Sequence, residues 1–174
     1  SQTQGPAVLH NHIYGYPGWR VFHDGLSTRE RIAWAFGMQK ENFLPNIIAH
    51  LQKAKPIKPS LLSTGPCKEV KIVGDDIDLT YLPIPFTGEL EGPPFITAGI
   101  SNIRDPDTGW QNTGIRRFQL KGKRKINNLI LPFQHEAMIF GKYIKKKQPA
   151  PLAIVLGADP IYYLASQVPA PAQV

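Results

Sequence analysis

With 174 residues, 42% of them hydrophobic and 19% charged, the chain has a globular composition rather than a disordered one, with room for one ordinary domain or two small ones. The net charge of +7 does not make a nucleic-acid surface, because the excess is split among Lys53 to Lys58, Lys121 to Lys125 and Lys142 to Lys147 and no aromatics interleave with it. No apolar run is long enough to span a bilayer, Ser1-Gln2-Thr3-Gln4 has neither a basic start nor a hydrophobic stretch, and the single Cys67 rules out an intrachain disulfide; a cytoplasmic protein fits all three.

In chain order, Gly5 to Leu9 reads as a short buried strand, and Val21-Phe22 as a second one after the Tyr14-Gly15-Tyr16-Pro17-Gly18 turn. Ser27-Thr28-Arg29-Glu30 has the pattern of a capping box, with Ser27 as the cap, opening a helix that runs through Phe36 and ends at Gly37. A second helix is expected from about Phe43 to Lys53, with Pro45 in its first turn and Leu44, Ile47, Ile48 and Leu51 on its apolar face. Lys55 to Pro59 is an extended linker, and Glu69 to Val73 alternates like a strand. Asp75, Asp76 and Asp78 lack the distal glutamate of a calcium loop and read as a turn. Leu82-Pro83-Ile84-Pro85 is a stiff crossing, and the internal boundary falls near Phe86, giving segments 1–86 and 87–174.

The second segment reads as a hairpin-rich half. Ile96 to Arg104 is a strand, Asp105 to Gly109 a turn, and Gln111 to Leu120 the return strand. Lys121-Gly122-Lys123 turns the chain into Ile126 to Leu131, and a helix follows from His135 to about Lys146, with Ala137, Phe140, Gly141 and Ile144 at helical spacing. Leu152 to Leu156 is a buried strand, and Asp159-Pro160 opens a short helix ending near Ser166. The chain begins without methionine and stops after a proline-rich segment, as a piece of a longer protein would.

Two stretches stand out chemically. Asn112 and Arg116-Arg117 on one strand are answered by Gln134-His135 at the end of the next. An amide oxygen and an imidazole bind a divalent cation, and guanidinium groups fork onto phosphate or carboxylate. The free amides of the helix opening at His135 add an anion site. These residues reach as far as a cation beside a phosphate. Asn112 and Arg117 are five apart and face opposite sides of a regular strand, so one shared site requires a bulge at Gly114 or a sharp twist.

The motifs Asn112-x-x-x-x-Arg117, Gln134-His135, Gly157-x-Asp159-Pro160 and Ala165-Ser166-x-x-Pro169-x-Pro171 together resemble the UbiD family of decarboxylases. Gly74-Asp75-Asp76-Ile77-Asp78-Leu79, Leu82-Pro83-Ile84-Pro85 and Pro94-Phe95-Ile96-Thr97 fit the same pattern upstream, so the resemblance runs from Gly5 to the end. It implies an α+β chain: an N-terminal α/β segment, then the first part of a flavin-reductase-like split β-barrel whose closing strands are missing. It implies prenylated FMN, a divalent metal of the manganese (or magnesium) type on the phosphate, and a potassium ion close by. Asn112 and His135 then match two metal ligands, and Thr97, Ile115, Arg116, Arg117, Gln134, His135, Ser166 and Pro169 match the cofactor lining. Backbone groups around Ala165 and Val168 would face the monovalent ion. Arg117 matches the arginine of a catalytic Arg-Glu-Glu network.

The implied reaction is decarboxylation, or its reverse, of an aromatic or α,β-unsaturated acid through a covalent cofactor adduct, in a parent protein that forms homo-oligomers. The family's third metal ligand and both catalytic glutamates have no match here, and Glu89, Glu91 and Glu136 correspond to none of them. The chain alone is therefore expected to be inactive and to hold the cofactor poorly. Two other readings compete: a non-catalytic small subunit or scaffold of a carboxylase, and a plain flavin reductase lacking the Asn-His metal pair.

Overall fold

Short β-rich runs broken by prolines and glycines give a chain of α+β class, and the computed structural model describes residues 5–55, 57–86, 88, 90, 92 and 94–168 of it. It divides into two compact units between Asp78 and Leu79.

In the first unit, β1 (Val8–His10) pairs antiparallel with β2 (Val21–His23). The turn between them uses Gly15 and Gly18 at φ 79 and 82, where a side chain would be strained. The expected buried strand is instead half-exposed, because a two-stranded ladder has no second layer over Leu9 and His10. Helix α1 (Arg29–Ala35) follows, but its cap is Thr28, not Ser27: Thr28 Oγ1 accepts from Arg31 N at 3.2 Å. Ser27 Oγ donates to Asp24 O, and Glu30 pairs with Lys40 instead of reaching back. Helix α2 (Lys40–Lys53) begins three residues earlier than expected, which leaves Pro45 inside it. Its apolar residues Leu44, Ile48 and Leu51 are exposed in the described structure. Glu69 to Val73 is not a strand. Among the described residues the alternating pattern has no neighbouring strand to pair with, and 3-10 turns flank it at Pro66–Lys68 and Gly74–Asp76, the latter taking up the aspartate cluster as a turn.

The second unit is built on one antiparallel sheet. Strands β3 (Phe95–Arg104), β4 (Gln111–Gly122), β5 (Lys125–Asn128) and β6 (Leu152–Val155) lie in the order β5-β4-β3-β6. Helix α3 (His135–Lys145) precedes β6, and α4 (Pro160–Ala165) follows it, capped by Asp159, whose Oδ1 accepts from Ile161 N. The core joins Ile103, Ile139 and Tyr143, with Trp110, Phe140, Ala150 and Leu152 around them. The buried face of α3 therefore carries Glu136, Ile139 and Tyr143, one position away from the Ala137, Phe140, Ile144 face read from spacing.

The β3–β4 turn is held by Asp105, fully buried. Its carboxylate accepts from the amides of Asp107 and Thr108 and pairs with Lys142 Nζ at 2.6 Å. Burial works to raise its pKa, but the Lys142 ammonium and the two amides outweigh that and hold it at about 2. Since the folded value lies below the unfolded one, the stabilisation is complete above the unfolded pKa and is lost as pH falls towards 2. The melting temperature is expected to drop across that acid range, and Asp105→Asn should flatten this part of the profile while lowering the melting temperature at neutral pH; thermal scans at stepped pH measure both.

Candidate functional site

Burial alternates along β4: Asn112, Gly114, Phe118 and Leu120 are buried, and Gln111 and Arg117 are exposed. The register with β3 is unbroken from Arg104↔Gln111 to Gly99↔Arg116. There is thus no bulge at Gly114. The irregularity lies across the ladder, between Ile96 and Gly99 of β3, opposite Arg117. Gly114 serves another purpose. A Cβ there would sit 3.0 Å from Arg116 Nη1 and 3.3 Å from its Cζ, so the missing side chain makes room for the guanidinium.

That guanidinium belongs to a buried network. Arg116 Nε donates to Glu136 Oε2 at 2.5 Å, and Ser101 Oγ donates to Glu136 Oε1 at 2.7 Å. Ser101 and Glu136 are wholly buried, and the Arg116 side chain is 18% exposed. Ser101 faces Gly114 in the ladder, so the carboxylate sits over the middle of the β3–β4 pair. Glu136 lies in the first turn of α3, where the helix dipole favours a negative charge. The bonds fasten the N-terminus of α3 to β4.

The residue before it, His135, turns its ring edge onto Trp110 at a centroid distance of 5.5 Å. Trp110 stands two residues before Asn112, and Arg116 four beyond it. The first turn of α3 thus touches the chain on either side of Asn112 in the sequence. Asn112 is 8% exposed, but among the described residues the buried side-chain amide without a hydrogen-bond partner is that of Asn128 on β5. Gln134 just ahead of the helix has its Oε1 engaged by Leu131 N, closing the Leu131-Pro132-Phe133 turn. Asn112, His135, the α3 amides and Arg116 therefore suit a metal-bridged phosphate: one neutral oxygen donor, one imidazole and an anion site. Among the described residues no three carboxylate, imidazole or thiol groups converge.

The remaining residues fall elsewhere. By alternation Ile115 and Arg117 point to the opposite face of the sheet, and Arg117 lies over the Phe95 ring at 4.2 Å. On that face α4 is pegged to β3 by two phenols: Tyr162 Oη donates to Asn102 Oδ1, which also accepts from Thr113 Oγ1, and Tyr163 Oη donates to Ala98 O at 3.0 Å. Thr97, beside Ala98 in the irregular stretch, is exposed. Ser166 is nearly buried and its hydroxyl donates to Tyr163 O, whereas Ala165 O accepts from Val168 N. Pro169 lies outside the described residues.

Sequence reasoning passes over Ser101, Glu136, Tyr162 and Tyr163. An acidic residue in the first helical turn, on a helix entered just after an arginine pair, is the available signal for Glu136; the misplaced helical face conceals its burial.

Comparisons with known proteins bear on this geometry. Residues 60–174 match the model of the 3-octaprenyl-4-hydroxybenzoate carboxy-lyase Rift-related domain, and residues 1–51 match the N-terminal domain of the same carboxy-lyase. The chain is 33% identical over 171 residues to an anhydromevalonate phosphate decarboxylase of Methanosarcina mazei, covering 97% of this chain and 38% of the relative. It is 30% identical over 182 residues to a pyrrole-2-carboxylic acid decarboxylase of Pseudomonas aeruginosa, covering 98% and 37%. Among solved structures, the UbiD-class enzyme HmfF from Pelotomaculum thermopropionicum in complex with FMN superposes with a TM-score of 0.87 at 32% identity, over 98% of this chain and 38% of that one. The apo 3,4-dihydroxybenzoic acid decarboxylase AroY of Klebsiella pneumoniae gives 0.86 at 26% identity, over 97% and 36%. The chain thus spans little more than a third of the length of the relatives it matches.

Proposed function

Because the chain belongs to the UbiD family of carboxy-lyases, we propose that it is the N-terminal part of a decarboxylase, or reversible carboxylase, that acts on an aromatic or α,β-unsaturated acid with prenylated FMN. The observation that carries the reading is the first turn of α3, where His135 packs on Trp110 and Glu136 pairs with Arg116, the two β4-side contacts that flank Asn112 in the sequence. The Asn112 amide oxygen and the His135 imidazole would hold a divalent metal of the manganese type, and the α3 amides with Arg116 would take the phosphate. Prenylated FMN, when bound, supplies the electron sink for the loss of carbon dioxide. On the other face, Arg117 is an exposed cation suited to orienting a substrate carboxylate, and Ile115, Thr97 and Ser166 would line the ring system. The carbonyls around Ala165 and Val168 would take the monovalent ion.

The relatives' names support an aromatic substrate in two cases, pyrrole-2-carboxylic acid and 3,4-dihydroxybenzoic acid. The HmfF enzyme solved in complex with prFMN as an evolved dimeric form supports the cofactor and an oligomeric parent. No helix among the described residues is long and apolar enough to cross a membrane. With neither a third metal ligand nor a general acid assigned, this chain contributes the phosphate-and-metal half of a site and does not turn over by itself.

The test is a fluorescence titration of the chain with FMN, with and without manganese. Weak binding that requires manganese and falls at least tenfold in Asn112→Ala and in His135→Ala is the expected result. Binding that ignores manganese and survives both substitutions would overturn the reading in favour of a metal-free flavin protein.

A further inference from the structure

We infer that the β1–β2 pair carries a second cation site, on its surface, in which His10 and His23 chelate a borderline divalent ion of the zinc, nickel or copper type. The register Val8↔His23 and His10↔Val21 puts both histidines on one face of the ladder at diagonal positions, within reach of each other. Their Nε2 atoms stand 3.1 Å apart, with ring centroids at 5.2 Å and planes inclined by 19°. Two nitrogens each ~2.0–2.1 Å from one zinc ion at a near-tetrahedral angle lie roughly 3.3 Å apart, so the pair needs only a small opening to become a chelate. Both rings are exposed, and solvent has access to fill the remaining coordination positions.

The second ring is braced as metal-binding histidines are. His23 Nδ1 lies 2.7 Å from Asp24 Oδ2, so the carboxylate takes the proton-bearing nitrogen and leaves the Nε2 lone pair directed at His10. Asp24 itself stands in the left-handed region at φ 59, which aspartate tolerates better than most residues. Its carbonyl is held there by Ser27 Oγ at 2.9 Å, Ser27 N at 3.3 Å and Arg31 Nη2 at 3.1 Å. Arg31 also donates to Gly25 O and Gly5 O, which ties the loop to the start of the chain. The carboxylate behind His23 is therefore fixed from α1 and not by the short ladder alone.

Two imidazoles select zinc, nickel or copper over manganese or magnesium, which prefer oxygen donors. On binding, the cation replaces the proton shared between the two Nε2 atoms, and His10 binds as the tautomer protonated on Nδ1. No third side chain completes a cluster among the described residues, so water finishes the coordination shell and exchange is fast. The site is separate from Asn112 and His135 in chain position, in unit and in metal preference.

Calorimetric titration with zinc sulfate tests it, alongside magnesium as a hard-cation control. The expected result is a saturable site with one equivalent of zinc, weakened at least tenfold by His10→Gln and by His23→Gln and several-fold by Asp24→Asn, while His12→Gln and His135→Ala leave it intact. Wild-type zinc affinity in both His10→Gln and His23→Gln, or loss in His12→Gln or His135→Ala equal to theirs, would overturn the assignment.

Discussion

Glu136→Leu is expected to destabilise the sheet-and-helix unit by about 3–5 kcal/mol, because it strands the Arg116 guanidinium in a largely dry position. Arg116→Met should cost a similar amount by leaving the Glu136 carboxylate unpaired and wholly buried, with only Ser101 Oγ donating to it. The double variant should recover most of the loss, since two apolar side chains of similar volume carry no desolvation penalty. Urea unfolding of the three variants beside the wild type measures this as a strongly non-additive cycle. Additive losses would mean that the pair is worth no more than two separate surface contacts. The same cycle bears on function: a double variant that is stable yet has lost manganese-dependent flavin binding would show that Arg116 and Glu136 are kept for the site and not for holding the fold together.

The second large effect is at Gly99 and Phe118. A Cβ at Gly99 would lie 2.8 and 2.9 Å from Phe118 ring carbons and 3.1 Å from Ile154 Cγ2. Phe118 is fully buried and cannot swing away, so Gly99→Ala should cost about 1–3 kcal/mol through overpacking. Phe118→Ala should cost about 3–5 kcal/mol through the cavity it leaves. In combination the two should cost less than their sum, because the new methyl then occupies vacated space. Chemical denaturation midpoints of the four proteins give the answer, and strict additivity would show that the ring gives way to the methyl without strain.

Much of the architecture is legible in the sequence because it rests on local rules. The Asp105–Gly109 turn, the strands on either side of it, the helix opening at His135 and the Asp159-Pro160 cap all stand where turn chemistry and capping put them. What is not legible is decided by partners far along the chain. Glu69 to Val73 alternates like a strand but has no neighbouring strand to pair with among the described residues. Gly114 has the look of a backbone device, yet it is glycine because a guanidinium lies across it. The real irregularity is in β3, where the sequence Thr97-Ala98-Gly99 gives no distinct signal. At the candidate site, residue types single out Asn112, His135 and the arginines. The carboxylate that fastens them lies on a helix face which spacing alone misplaces by one residue.

The two phenol pegs on α4 have a consequence for the order in which the chain becomes ordered. A helix of six residues is far below the length that persists in water by itself. Its order is conferred through Tyr162 and Tyr163 by Asn102 and Ala98, which lie 60 and 65 residues upstream on β3. The loop closed by these bonds is long, so they form late, once β3 is already paired. The carbonyls of Ala165 and its neighbours thus owe their direction to the paired sheet, and any ion that reads those carbonyls reads that sheet.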